Sequence, residues 1–305
     1  IRKGDTLGEP QHVEHGELMR FDRVIANPPF SLKNWGRELA EHDGYGRYRY
    51  GIPPKDAGDL AFVQHMIASL NQEGVMGVVV PHGVLFRGGQ EGEIRKGILE
   101  DDLVEAVIGL PSGLFYGTGI PAALLIINKN KQVERRGKVL FINAELDYQE
   151  GKNQNLLRDQ DLEKVVECFD AYNEIKRFSR VVPLEEIREN DHNLNIRRYA
   201  DTSPPPEPFD VRGILHGGVP IKEIQSEYIQ EILEGFDVSG VLVPKDAEYL
   251  KFRDDIQEKS QIRQHLGDAS DAVIQQFERW WDKYGVSLAQ IDAEVKEAEA
   301  VMHGF

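Results

Sequence analysis

The sequence predicts an α/β protein: a mostly parallel sheet with one antiparallel late strand, followed by a helical C-terminal appendage. Three observations predict it. Short continuous apolar runs such as Val75–Val80 alternate with stretches of helical periodicity, the pattern of strands packed between helices. The connection from Gly109 to Pro121 is too short for a helical crossover, so the strands flanking it should run antiparallel. Beyond Ser203-Pro204-Pro205-Pro206-Glu207-Pro208 the apolar spacing is helical.

Taken in order, the first strong element is a strand at Phe21 to Ala26, ended by Asn27-Pro28-Pro29, since proline lacks the N–H and fixes φ. A helix over Asp59–Leu70 follows, with Leu60, Val63, Ile67 and Leu70 on one face. Gly74 breaks it, and Val75–Val80, bounded by Pro81, reads as a strand covered on both faces. Next come a helix near Glu91–Leu99, strands at Leu103–Ile108, Ala122–Ile127 and Val139–Ile142, and a helix at Leu162–Ile175 within an otherwise helix-and-loop stretch to residue 200. The proline run favours an extended linker and marks the best boundary in the chain. The expected domains are therefore a catalytic part at 1–200, a linker at 201–218 and an acidic tail at 219–305. In the tail, helices are predicted over Ile221–Leu233, Ala247–Leu266, Ala269–Tyr284 and Leu288–Met302.

Composition sets outer bounds. Forty per cent hydrophobic and 29 per cent charged residues are ordinary for a soluble globular protein. No stretch approaches the roughly 18 apolar residues of a membrane span, and a single cysteine, Cys168, makes no internal disulfide, so a cytoplasmic setting is expected. Cys168 falls on an amphipathic helix with no electropositive setting, which reads as a buried, inert thiol. The net charge of −16 argues against direct nucleic-acid binding, because phosphate contacts need Lys and Arg. Its distribution softens the objection: residues 201–305 hold 10 basic and 21 acidic side chains, so most of the acidity lies in the tail. A partner carrying a basic surface is implied.

Asn27-Pro28-Pro29-Phe30 carries the chemistry. An exocyclic adenine amine is a poor nucleophile because its lone pair is delocalised into the ring. Two acceptors aimed at its N–H bonds, the Asn27 side-chain carbonyl and the Pro28 backbone carbonyl, would hold it and let the nitrogen move toward tetrahedral geometry. Consecutive prolines stiffen the loop before substrate arrives. Phe30 offers a stacking face worth roughly 1–3 kcal/mol for a base, against a flipping cost of a few kcal/mol. Direct attack on the methyl of S-adenosylmethionine then needs no covalent enzyme intermediate. The loop's place after an apolar strand, at a sheet edge where ligands bind, separates it from a mere turn.

Phe21 to Ser31 resembles, almost letter for letter, the catalytic motif of the modification subunits of type I restriction–modification systems, which are N6-adenine DNA methyltransferases. Asp59 to Met66, Gly74 to Pro81, Ile94-Arg95-Lys96, Leu103 to Pro111, Leu114 to Pro121, Val139 to Ala144 and Asn193 to Tyr199 continue the same order, and the similarity covers about 1–218. The resemblance implies a class I (Rossmann-like) methyltransferase sheet, S-adenosylmethionine as cofactor, DNA as substrate, and a specificity subunit with the restriction subunit as partners. It also implies that Asp5, in Gly4-Asp5-Thr6-Leu7, accepts a hydrogen bond from the cofactor's adenine amine. Asp59 would line the methionine end of the cofactor, with a helix cap as the competing reading. Phe115, or its neighbour Tyr116, would pack the far side of the flipped base.

One departure matters. The family's Gly-rich cofactor loop has no counterpart ahead of residue 27, and Gly117-Thr118-Gly119 lies in the wrong place for it. The acidic ribose partner and the helical N-terminal domain are missing too. The expectation is a C-terminal piece, inactive alone, whose cut sheet exposes an apolar edge. Alternatives left open are methylation of a protein glutamine or an RNA guanine, and a non-catalytic scaffold. Among other features, Arg37, Arg47, Arg49 and Lys55, interleaved with Tyr45, Tyr48 and Tyr50, form a candidate phosphate-facing patch or a solvated loop. His12 and His15 read as solvated surface rather than metal ligands, and Trp280-Trp281 as helix packing or a partner contact.

Overall fold

The computed structural model describes residues 1–115, 119–203 and 208–303. The chain forms two compact units, Ile1–Ser203 and Pro204–Phe305, each with its own apolar core. In the first unit a small hairpin, β1 (Val13–Glu14) and β2 (Glu17–Leu18), precedes β3 (Phe21–Ala26), a short α1 (Arg37–Ala40) and α2 (Asp59–Ala68). Then come β4 (Leu70–Pro81), α3 (Gly89–Glu100), β5 (Val104–Gly109), β6 (Ala122–Asn128), β7 (Lys138–Asn143), α4 (Asp159–Ala171), β8 (Ser179–Pro183), α5 (Leu184–Glu189) and α6 (Ile196–Tyr199).

The six-stranded sheet has the order β3-β4-β6-β5-β7-β8. β3, β4, β5 and β7 run one way, while β6 and β8 run against them. The short connection at 109–121 does make β5 and β6 antiparallel, as expected. Strand β8 was not legible: Ser179-Arg180-Val181-Val182-Pro183 has too few apolar residues to stand out, and it becomes a strand through its pairing with β7. Helix α4 stops at Ala171, earlier than the predicted Ile175, because Tyr172 takes the left-handed conformation at φ 49°.

Helices α2, α3, α5 and α6 cover one face of the sheet, where Leu60, Val63, Ile94, Ile98, Ile187 and Tyr199 meet the strands. On the other face α4 packs Cys168, with Phe169, against Ala106, Ile108, Leu140 and Ile142. All six residues of β5 are buried. β4 departs from the expectation of cover on both faces: Met76, Val78 and Val80 are buried, but Val75, Gly77 and Val79 are half-buried. β3 forms the sheet edge, and Ile25 on it is 87 per cent exposed.

The second unit is not purely helical. It holds α7 (Val211–His216), β9 (Val219–Pro220), α8 (Ile221–Ile224), α9 (Glu227–Leu233), β10 (Leu242–Pro244), β11 (Tyr249–Phe252), α10 (Lys259–Leu266), α11 (Asp271–Trp280) and α12 (Leu288–His303). β10-β11-β9 form a small antiparallel sheet, and β11 lies within Ala247–Leu266, which was read as helix. Tyr249-Leu250-Lys251-Phe252 yields to strand pairing because the preceding Pro244 and Asp246 close a turn that folds it back on β10. Of the linker expected at 201–218, residues 204–207 lie outside the described residues, and α7 occupies Val211–His216 of the remainder. Trp280 is core: its Nε1 donates to Glu223 Oε1 at 2.9 Å, while the Tyr284 hydroxyl donates to Glu223 Oε2 at 2.7 Å. Trp281 packs edge-on against Phe252.

Glu223 is 7 per cent exposed, so its acceptors are held for these two donors. Replacing Glu223 with Ala leaves the buried Trp280 N–H without its acceptor and should cost roughly 1–3 kcal/mol. Urea unfolding followed by tryptophan fluorescence reads this, and an unchanged midpoint would remove Glu223 from the core's essential contacts.

Candidate active site

Strand β3 delivers Asn27 to the carboxyl edge of the sheet, where Pro28 and Pro29 end it. Asn27 is exposed, and among the described residues no hydrogen bond engages either its side-chain amide or the Pro28 carbonyl. Neither acceptor is therefore spent on another group of the chain among the described residues; Asn27 is exposed and Pro28 half-buried, in a loop that proline has stiffened. Phe30 is half-buried. The next residue, Ser31, sits at φ 49°, a left-handed conformation uncommon for a non-glycine side chain.

That strained turn is tied to the start of α2. The Ser31 N–H donates to Asp59 Oδ1 at 2.7 Å, and the Gly58 N–H donates to Leu32 O at 3.1 Å. Trp35, buried, donates from Nε1 to Pro54 O at 2.7 Å, and the Asn34 N–H reaches Lys55 O at 3.0 Å. Gly58 is glycine for a reason of space: a Cβ there would lie 2.9 Å from the Trp35 ring. Residues 31–35 thus form a strap clamped against 54–59.

Asp59 occupies the first turn of α2 but is not its cap, since Gly58 takes that position and no side chain caps it. The carboxylate is 2 per cent exposed and its Oδ2 has no hydrogen-bond partner. Burial raises its pKa above the ordinary carboxylate value, against the opposing pull of the Ser31 N–H and the Arg87 guanidinium. Arg87 Nη1 lies 3.9 Å from Asp59 Oδ2 and 3.5 Å from Glu91 Oε1. Burial raises Glu91 as well, with Asp59 adding to it and Arg87 opposing. The turn carrying Arg87 is pinned by Arg95, buried, which donates to Val84 O, Arg87 O and His192 O at 2.8–3.0 Å.

Phe115 meets Phe30 across the edge, with ring centroids 6.2 Å apart and planes at 74°. The two aromatics named from sequence are therefore neighbours; Tyr116, Gly117 and Thr118 lie outside the described residues. Asp5 stays in its local turn, where its Oδ1 accepts from the Leu7 and Gly8 N–H groups at 3.0 Å each. The candidate phosphate-facing patch is corrected. Arg47 is 5 per cent exposed and paired with Asp43, Arg37 pairs with Glu41, Arg49 with Asp101 and Lys55 with Glu38. Their charges are spent on carboxylates of the chain itself. His12 packs edge-on against Phe21, and among the described residues no group of His, Cys, Asp and Glu is arranged to hold a metal.

A family model described as N-6 DNA methylase matches residues 1–207. The chain belongs to that family. A type I restriction enzyme methylase subunit of Methanocaldococcus jannaschii, MjaVII, is 39 per cent identical over 248 residues, covering 78 per cent of this chain and 42 per cent of that protein. The HindI methylase subunit of Haemophilus influenzae is 36 per cent identical over 210 residues, covering 65 and 45 per cent. The crystal structure of a type I methyltransferase subunit from Streptococcus thermophilus is 40 per cent identical, with a TM-score of 0.60, over 65 per cent of this chain and 41 per cent of that one. The chain thus spans under half the length of the relatives it matches. Among its described residues no helix is long and apolar enough to cross a membrane.

Sequence reasoning found the loop and both aromatics but missed Arg87 and Arg95 as its neighbours. Only the run Val84-Leu85-Phe86-Arg87-Gly88-Gly89, an apolar turn ending in Arg before two glycines, could have signalled them.

On the far side of α2, burial and the nearby Arg47 push His65 down to about 4, with Asp43 opposing. Its folded value lies below the unfolded one near 6.5. The neutral ring therefore contributes stability that is complete above pH 6.5 and is lost as pH falls toward 4. Chemical unfolding across that window should show wild type losing ground to His65→Gln as pH drops; parallel curves would contradict it. Gly58→Ala should lower stability by about 1–3 kcal/mol through overpacking against Trp35, read as a drop in thermal midpoint.

Proposed function

We propose that this chain carries the catalytic loop of an S-adenosylmethionine-dependent DNA methyltransferase that modifies the N6 amine of a flipped adenine, as the modification subunit of a type I restriction–modification complex. The observation carrying this reading is the pair of acceptors at Asn27 and Pro28 that no hydrogen bond among the described residues engages, beside the Phe30–Phe115 aromatic pair. Family membership and the relatives named methylase subunits of type I restriction enzymes support adenine in DNA over a protein glutamine or an RNA guanine.

The chemistry follows from the residues. The Asn27 amide oxygen and the Pro28 carbonyl accept the two amine hydrogens, localising the nitrogen lone pair on the face away from the loop. Phe30 and Phe115 supply apolar surface to a base out of its stack. Pro29 narrows the conformations open to the acceptors, so less order has to be gained on binding. S-adenosylmethionine, when bound, supplies an electrophilic methyl. Asp5 is assigned to it, although its Oδ1 already serves the 5–8 turn; the Asp59 carboxylate is instead engaged by the Ser31 N–H behind the Asn27–Phe30 loop.

Partner contact is assigned to the acidic second unit. On α12, Leu288, Ile291 and Val295 are 45–50 per cent exposed at three- and four-residue spacing, which suits a helical seam on a specificity subunit. Charged substitutions at Ile291 and Val295 should reduce co-purification with that subunit while leaving the melt of the chain unchanged.

The reading is tested with the full-length subunit assembled with its specificity subunit, using radiolabelled S-adenosylmethionine and duplex DNA carrying N6-adenine targets, with protein and RNA substrates in parallel. Asn27→Ala should lower methyl transfer by a hundredfold or more, about 2.7 kcal/mol. Transfer to protein alone, or full transfer by the Asn27→Ala subunit, would overturn it.

A further inference from the structure

We propose that Asp59 is a positioning residue of the amine-holding loop: it fixes the Phe30-Ser31 turn through the Ser31 N–H, and Arg87 holds its carboxylate in place. The inference deepens the proposed function, since it rests on Asn27–Phe30 being the substrate-holding loop.

The first support is geometric. The 2.7 Å bond from the Ser31 N–H to Asp59 Oδ1 joins positions 28 residues apart. It lands on the one residue of this turn whose backbone is left-handed, at φ 49°. Such a conformation costs about 1–3 kcal/mol and persists only where its surroundings impose it. Among the described residues no other hydrogen bond holds the Ser31 N–H, so Asp59 is what imposes it. Among the described residues neither acceptor is bonded, so the bond from α2 to Ser31 is what ties this turn to the body of the unit.

The second support is the choice of a charge. Had the position required only a helix cap, Gly58 already fills it. A buried carboxylate with an unbonded oxygen is an expensive acceptor. A carboxylate is also a stronger acceptor for a backbone N–H than a neutral oxygen, and its bond is stiffer. Burial raises its pKa, and the Ser31 N–H and Arg87 act against that rise. Arg87 stands 3.9 Å from Asp59 Oδ2, close enough to favour ionisation but beyond hydrogen-bond reach. The guanidinium lies over Gly83, where a Cβ would come within 2.4–2.5 Å of it, and Arg95 pins the turn from the other side. Glu91, on α3, is the second carboxylate facing Arg87 and competes for it. Two buried carboxylates, Asp59 and Glu91, thus share the half-exposed Arg87, and Asp59 passes one bond on to the Ser31 turn.

Loss of the clamp should act on turnover, because a displacement of about 1 Å at the reacting group costs on the order of a hundredfold. The test uses the full-length subunit with its specificity subunit. In Asp59→Ala, kcat for adenine methylation should fall at least tenfold, with S-adenosylmethionine affinity by calorimetry unchanged within threefold. Asp59→Asn, which keeps an acceptor for Ser31, should recover part of the loss. Arg87, 40 per cent exposed, can be replaced without emptying a core, which keeps the proposal testable should Asp59→Ala misfold. Arg87→Met removes the cation that stabilises the Asp59 charge. The acid limb of the kcat–pH profile should then move up by about one unit, and Arg87→Lys should restore it. Weaker cofactor binding with full kcat at saturation in Asp59→Ala, or an unmoved acid limb in Arg87→Met, would overturn the proposal. Asn27→Ala is run alongside. If it is inactive while the Asp59 and Arg87 variants behave as wild type, only the positioning role fails. If Asn27→Ala is itself active, the reading of the loop fails.

Discussion

A loop whose acceptors are left unbonded is not stabilised through them. In this protein the turn after Pro28-Pro29 is held by one partly buried hydrogen bond, from the Ser31 N–H to Asp59, and the surrounding structure is arranged to make that bond tolerable. The strap from Leu32 to Trp35 is clamped on the 54–59 segment, α2 begins at the carboxylate, and the Arg95-pinned turn brings a cation beside it. The rigid parts of the site are thus hidden and the chemical parts exposed. Two prolines carry that stiffness the last few ångströms to Asn27.

Sheet topology explains why the second aromatic arrives at the same place. β3, β4 and β5 run in one direction, so Ala26, Pro81 and Gly109 all end at one edge. The chain leaving β5 must return to enter β6 between β4 and β5, and its only route is over that edge. Phe115 lies on this return and is carried against Phe30. The antiparallel insertion is therefore more than a topological variant. It brings Phe115, on the stretch leaving β5, beside Phe30.

What could be read in advance divides along physical lines. The strands with continuous apolar runs, the proline-terminated loop and the direction of β6 follow from local sequence and chain length, and were legible. Asn27 and Phe30 could be singled out because they stand in four consecutive residues, and the structure adds that Phe30 packs beside Phe115. β8, the β10-β11-β9 sheet and the end of α4 were not, since each is decided by a pairing partner or a backbone conformation distant from its own apolar pattern. Asp59 was noticed but given the choice of cap or cofactor contact. Its bond to Ser31 spans 28 residues and no periodicity reports it. Arg47 misled for the opposite reason: a cation between tyrosines reads as a phosphate contact until Asp43, four residues earlier, is seen to neutralise it.

That neutralisation bears on how such a protein could meet DNA at all. Affinity for duplex grows with the number of phosphates that Lys and Arg neutralise. In the loop following Asn27–Phe30, the four cations best placed by sequence are each matched to a carboxylate of the same chain. Freeing one of them for a phosphate would strand its partner, and for Arg47–Asp43, at 5 and 6 per cent side-chain exposure, that means a charge left in the interior. Arg49 and Lys55, at 61 and 62 per cent side-chain exposure, sit in pairs that solvent and salt screen, so Arg47–Asp43 is the pair least open to such an exchange. The net charge of −16 acts against approach to a phosphate backbone as a property of the whole chain, beyond any single patch.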